Sequence, residues 1–488
     1  MLSLQPISRC GWCLALSVTS LVVLSAVPSL RAQSPVPQAV ADTLRLSVED
    51  AVTLAQRQSD EVGIAAAQAE VADARFGAAR ANALPQLRLN STYTHVYESA
   101  RGQAVGAVFN QPNTYTINAN LSQTLFQGGK LLNATRSASE TREAARYDER
   151  EQRALVTLDV QRAYLQALYA ARIAALQDTN LVLATNRLAQ VEQFERAGQA
   201  ARYDVLRARV ERANIEPLAI QARSDQELAL LDLKRVINVP ITQPVVLTSR
   251  IDAGAAAAVL AQLADTTTPI DRASVRAAER TVAARKLDIS VARADFFPTI
   301  SAFIQSGYSA FPLVGQGFPT SRGTLAESFC PAGSTPGRLC QNGGFFSDQQ
   351  AGINISLPLF DGFRVKSNVD LAQAQERLAE LELRQQRETV ALDAARARAE
   401  LRRSQAVFTA RRQNSAEAAE AFRLASLRFS RGLSTQLEVS DAQLALLTAE
   451  STEARATYDL FLAAADLARA LGQPIPLPPT VAAPAQSH

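Results

Sequence analysis

Twice in this chain a period-two hydrophobic pattern gives way, across a Phe-x-Gly step, to a long helical one. The first instance is YTINANLSQTLFQGG, Tyr115 to Gly129. Tyr115, Ile117, Ala119, Leu121 and Leu125 are apolar, whereas Thr116, Asn118, Asn120, Ser122 and Thr124 are small and polar. Side chains alternate across a strand, so the pattern predicts one oily face and one wet face. The second instance is QAGINISLPLFDGF, Gln350 to Phe363. There Ala351, Ile353, Ile355, Leu357 and Leu359 alternate with Gln350, Gly352, Asn354 and Ser356. The chain is built as a repeat, and the repeated unit joins a strand of membrane type to a helix.

Subtraction sets the register of the repeat. Phe360 minus Phe126 is 234, and Gly432 minus Gly198 is also 234, so the long helices of the two copies match without a gap. Pro298 minus Pro85 is 213, which leaves a 21-residue excess in the second hairpin, mostly in its loop. Equal helices with unequal loops describe a scaffold of fixed length with a variable tip.

At 488 residues the chain has the length of two or three ordinary domains, but only 6% of it is aromatic and Ala is abundant. That balance favours long, closely packed helices over a thick core. Basic and acidic residues are interspersed and nearly cancel at +3, which excludes a nucleic-acid footprint.

In chain order, Arg9 and the apolar run from Cys13 to Val27, followed by Leu30-Arg31-Ala32, predict a signal peptide over 1–32. Export places the rest in an oxidising compartment. The first repeat, 46–240, begins with a helix from Leu46 to about Leu84, stopped by Pro85. A hairpin of two strands follows at about 86–125, and then a helix from Gly129 to Glu195 that at 1.5 Å per residue is about 100 Å long. Ala197-Gly198-Gln199 breaks it, and a return helix runs from Tyr203 to Val236, with Pro217 expected to interrupt and kink it. A connector, 241–270, holds a short strand candidate at Pro244 to Leu247. The second repeat, 271–472, has its hairpin at about 299–359, a long helix from Gly362, a break at Gly432 and a last helix to Leu471. The Pro- and Ala-rich tail, 473–488, is expected to be disordered.

Strands of about ten residues cross an outer-membrane-type bilayer at a tilt, but four strands cannot satisfy their own edges in lipid. Association is therefore required, with two chains giving eight strands and three giving twelve. The Ala-rich helices have the same need, because they bury only narrow stripes against neighbours. A barrel of strands continuing into a barrel of helices meets both demands.

At this point the residues carry a family resemblance. Leu46-Ser-Val-Glu-Asp-Ala, Leu357-Pro-Leu-Phe-Asp-Gly, and Phe429-Ser-Arg-Gly before Gln436-Leu-Glu-Val-Ser-Asp-Ala-Gln, together with the duplication, resemble a TolC-type outer-membrane factor over about Leu46 to Gly472. The resemblance implies a mainly α chain with membrane β-strands. Its duplicated long coiled helices continue into a trimeric 12-stranded β-barrel and a 12-helix α-barrel tunnel. It further implies a homotrimer in outer-membrane lipid, with a long periplasmic extension. That trimer serves as the passive exit duct of a tripartite efflux pump, linked by a periplasmic adaptor (a membrane fusion protein) to an inner-membrane pump of the RND or ABC type. A type I protein secretion channel shares every motif. A soluble periplasmic coiled-coil scaffold would keep the helices without the four alternating strands.

No cofactor is expected and no catalytic or metal-binding set is legible, since His95 and His488 are the only histidines. The turns Ala197-Gly198-Gln199 and Arg431-Gly432-Leu433 read as glycine breaks between helices; the resemblance adds a docking surface for the adaptor. Asp204, Glu438 and Asp441 follow those turns. They read either as macrodipole charges or, tripled on an axis, as an acidic ring at the periplasmic mouth. Against the family pattern Ser434 replaces an arginine, Phe429 a tyrosine and Tyr203 a threonine, so an arginine–tyrosine latch is not expected unless Arg202 or Arg431 substitutes. Cys330 and Cys340, the only cysteines left after export, are expected to form a disulfide in the longer hairpin loop.

Overall fold

The computed structural model describes residues 43–98, 100, 104, 113–249, 254–256, 259, 270–310, 345–431 and 433–476. The signal peptide, Cys330, Cys340, Gly432 and most of the connector's helical piece lie outside them. The chain from Thr43 onward forms one unit.

Its elements are β1 (Leu44–Leu46), α1 (Val48–Gln58), α2 (Asp60–Ala81), β2 (Gln86–His95), β3 (Asn113–Gln127), α3 (Lys130–Arg196) and α4 (Arg202–Val236). These are followed by β4 (Val245–Leu247), α5 (Ala273–Arg293), β5 (Thr299–Ala310), β6 (Phe346–Ser356), α6 (Arg364–Ser430) and α7 (Gln436–Leu471). Both long helices, α3 and α6, contain 67 residues, as the 234-residue register requires.

The four long strands form one antiparallel sheet in the order β2-β3-β5-β6. The helices follow the same order. Helix α3 packs against α2 and α5 along one half and against α4 and α7 along the other, and α6 packs against α5 and α7. The result is a wall four columns wide, in which strands continue into helices. Its two edges are β2 with α2 and α4, and β6 with α6.

Buried residues on α6 step by heptad-like intervals through Val365, Val369, Ala372, Ala379, Val390, Ala394, Leu401 and Phe408. Small side chains on such a seam let helix axes approach closely, which is why the wall needs little aromatic mass. Gly307 has the same purpose in the sheet. A methyl group there would strike the Ile117 carbonyl and the Asn118 side chain across the β3–β5 pair. Leu125 is bulged out of that pair between Thr124 and Phe126.

Three expectations are corrected. Leu46 does not open a helix: it ends β1, which pairs in parallel with β4 through Leu46 and Leu247. The helix begins at Val48, capped by Ser47, whose Oγ accepts from the Asp50 amide at 3.1 Å while the Asp50 carboxylate accepts from the Ser47 amide at 3.2 Å. Nor does one helix reach Leu84, because the backbone turns extended at Ser59 (φ −66°, ψ 129°). The Gln58 carbonyl freed by that turn accepts from Asn238 Nδ2 at 2.9 Å, so the break leaves no orphan there. Finally, residues 473–476 are held in place, with the buried Gln161 Nε2 donating to the Pro476 carbonyl at 2.9 Å. The rest of the tail lies outside the described residues. Pro217 sits inside α4 without interrupting it.

At mid-height the wall is clamped by a buried ion network. Arg272, just before α5, donates to Glu151 of α3 at 2.9 Å and to Asp393 of α6 at 3.1 Å, and Arg469 of α7 lies 3.5 Å from Glu151. Nearby, burial pushes the Asp466 carboxyl above its usual range, with Arg162, 3.8 Å away, only partly opposing it. A carboxyl whose folded pKa is raised costs stability at neutral pH and returns it as the pH falls through the folded value. Asp466→Asn is therefore expected to raise the unfolding midpoint at pH 7 and to lose that advantage in acid. Denaturant titrations at the two pH values check it, and a destabilised variant at pH 7 would show that the Arg162 contact dominates.

Candidate functional site: the distal turns and a polar joint beside them

The two helical hairpins of the wall turn at the end remote from the sheet. In the first turn Gly198 takes φ +74°, a left-handed conformation that glycine adopts without strain. This lets the Gly198 and Gln199 amides donate to the Glu195 and Phe194 carbonyls at 2.9 and 2.8 Å. Asp204 caps α4, its carboxylate accepting from the Ala201 amide at 3.1 Å. Tyr203 beside it is exposed.

The second turn closes with the Leu433 amide donating to the Arg428 carbonyl at 2.9 Å. Thr435 caps α7, accepting from the Glu438 amide at 3.3 Å. The Glu438 carboxylate lies 3.8 Å from Arg428, an exposed pair that contributes little by itself. Ser434 Oγ donates back to the Ala425 carbonyl at 3.4 Å, so it bonds only within its own hairpin. Asp441 lines a groove between α6 and α7 with Arg411, Asn414 and Leu444. Phe429 is half-buried. Thus neither Arg202 nor Arg431 takes the role open to an arginine here; Arg428 pairs with Glu438 instead. Within one chain the acidic residues stay divided, Asp204 on the first hairpin and Glu438 and Asp441 on the second.

A polar joint that sequence reasoning missed connects these hairpins. Arg187 of α3, with its side chain only 11% exposed, donates to Ser440 Oγ at 2.8 Å and to Gln443 Oε1 at 2.9 Å on α7. Gln443 Nε2 donates to Asn180 Oδ1 at 2.6 Å, and Ser440 Oγ donates to Glu211 of α4 at 3.3 Å. Burial pulls the Arg187 guanidinium pKa down, and Glu211, 3.6 Å away, opposes the fall. The available signal was a polar residue in an apolar seam: Asn180 and Gln443 are buried between Leu176 and Ala184, and between Val439 and Ala449.

The described residues thus define a protein class: one segment of a tube wall, with a membrane-type sheet at one end and paired helical turns at the other. No helix among them is long and apolar enough to cross a membrane, which says nothing of a barrel. The chain belongs to the outer membrane efflux protein family, whose pattern matches residues 51–239 and 270–473. It is 28% identical to the outer membrane protein OprJ of Pseudomonas aeruginosa, over 83% of this chain and 79% of that one. It is 25% identical to the pyoverdine export outer membrane protein OpmQ of Pseudomonas putida, over 87% and 85%. Among solved structures, the fold is similar to the outer membrane protein VceC of Vibrio cholerae, with a TM-score of 0.67, 20% identity and coverage of 88% and 97%. It is also similar to the CmeC outer membrane channel of Campylobacter jejuni, with a TM-score of 0.68, 16% identity and coverage of 87% and 85%.

Proposed function

We propose that three copies of this chain close into the outer-membrane exit duct of a tripartite efflux pump. The observation that carries this reading is the pair of open edges. Strands β2 and β6 each lack a neighbour on one side, and they run antiparallel to each other, so joining β6 of one copy to β2 of the next keeps the sheet antiparallel throughout. Below the strands, the same edges carry exposed Leu371, Leu378 and Leu392 on α6 and exposed Leu228 and Leu231 on α4. An edge strand in lipid and a leucine seam in water both require cover, and one head-to-tail contact covers both.

Four strands per chain give twelve in three copies, in the range of known membrane barrels. The names of the relatives favour efflux over protein secretion, and the exposed apolar sheet face disfavours a soluble scaffold. Substrates pass passively; a periplasmic adaptor docks at the distal turns, and an inner-membrane pump of the RND or ABC type supplies the energy. Mass measurement of the protein purified in mild detergent, with conductance in planar bilayers, tests the assembly. A stable monomer without conductance would overturn it.

In such a trimer Asp204, Glu438 and Asp441 each occur three times around one axis, and carboxylates in a low-dielectric constriction attract counter-ions. The mouth is therefore expected to be cation-selective. Channels carrying Glu438→Gln and Asp441→Asn together are expected to lose cation preference and block by multivalent cations, with only a modest rise in resting conductance. Unchanged selectivity would leave Asp204 and Glu438 with helix-capping roles alone.

A further inference from the structure

We infer that Phe363 and Phe360 form an anchor that inserts into the periplasmic leaflet of the outer membrane, an inference that rests on the duct reading above. The starting observation is a backbone one. At both strand–helix junctions two successive residues adopt left-handed conformations: Gly128 and Gly129 (φ +55° and +77°) in the first copy, Gly362 and Phe363 (φ +68° and +64°) in the second. The 234-residue register places Phe363 on Gly129, so the second copy puts a bulky aromatic where the first uses glycine. A non-glycine residue with a Cβ is strained there.

Nothing within the chain offsets that strain by burial. The Phe363 ring is 67% exposed, and its ring partner, Phe360, packed edge-to-face at 5.8 Å, is itself 80% exposed. The compensating contact therefore lies outside the protomer.

Position identifies the chemistry of that contact. Ile353 and Ile355 on β6 point to the apolar face of the sheet, opposite the face that bears Asn354. Exposed Leu357 and Leu359 continue the apolar series past the strand end toward Phe360. In the first copy, Phe126 holds the position matching Phe360 and is also exposed. Phe297 packs over Gly128 at that same junction. Aromatic rings at the end of an apolar sheet face match the boundary between acyl chains and headgroups. The occupant is thus phospholipid at the glycerol level. The rival occupant is the neighbouring copy, since β6 and α6 form an open edge.

Phe363→Trp tests the two. The chain's single tryptophan is Trp12, in the expected signal peptide, so the mature protein is a dark background. Trimers are reconstituted into phosphatidylethanolamine–phosphatidylglycerol vesicles containing lipid brominated near the glycerol end or near the tip of an acyl chain. The Phe363→Trp protein is expected to lose about half its emission to the shallow bromines and less to the deep ones. The Ile353→Trp protein should show the reverse order, and Leu433→Trp at the distal turn should not be quenched. If Phe363→Trp does not assemble, Phe360→Trp reports the same layer with no change at the strained residue. An unquenched Phe363→Trp or Phe360→Trp beside a quenched Ile353→Trp assigns the rings to the neighbouring copy and overturns the anchor. An unquenched Ile353→Trp overturns the membrane reading of the sheet, and the anchor with it.

Discussion

Arg272→Met is expected to lower the stability of the folded chain by about 3 kcal/mol, the cost of leaving buried carboxylates without their counter-charge. Arg272 and Glu151 are only 10% and 14% exposed, and the same guanidinium also holds Asp393. Its removal strands two acids on different long helices. Arg469 remains 3.5 Å from Glu151, which keeps the expected loss at the low end of the usual range. The network spans α3, α5, α6 and α7, so its loss should loosen the join between the two repeats. The measurement is the midpoint of denaturant-induced loss of helicity. Adding Glu151→Gln and Asp393→Asn to Arg272→Met should recover most of the loss, because neutral amides need no counter-charge. A triple variant no more stable than the single one would show that Arg272 acts through packing of its aliphatic stem.

Arg187→Ala is expected to raise the resting conductance of reconstituted trimers several-fold. The joint around Arg187 connects the α3–α4 hairpin to α7 of the second hairpin, close to the distal turns, through four groups on α4 and α7 and one on α3. Opening a mouth formed by these hairpins requires them to part, and each part of the joint must then exchange a low-dielectric hydrogen bond for water. Without the guanidinium, Glu211 and Ser440 lose their link, and the closed arrangement loses about 1–3 kcal/mol relative to the open one. Arg187→Lys, with a single ammonium in place of a planar fork, should restore charge but not both bonds, and should lie between the two. Single-channel recording separates a latch from a scaffold. If conductance is unchanged while thermal stability falls, the joint is structural and the mouth is held shut elsewhere.

The duplication, the strand–helix junctions and the matched length of α3 and α6 were legible in the residues because each rests on local periodicity. Alternation from Tyr115 to Leu125 needs no partner to be read, and the 234-residue offset needs only subtraction. The short β1–β4 pair was not legible, since three residues from Leu44 carry no period and acquire strand geometry only from Val245–Leu247, some 200 residues away. The break at Ser59 was missed for a related reason. Ser59 is tolerated within a helical pattern, and the turn is stabilised from outside, where Asn238 satisfies the Gln58 carbonyl.

The same division holds at the distal end. The two glycine turns and the acids after them follow from chain order alone, because caps and turns are decided within a few residues. Whether Glu438 pairs with Arg202, Arg428 or Arg431 depends on how the backbone folds back on itself, and the folded chain selects Arg428. Arg187, Asn180, Glu211, Ser440 and Gln443 come from three helices spread over more than 250 residues. The periodic signal that predicts each of those helices is blind to which faces meet. Local spacing therefore determined what the elements are and in what order they run; only packing between distant helices decided which polar side chains are buried together, because the cost of burying an unpaired charge is set by its neighbours in space.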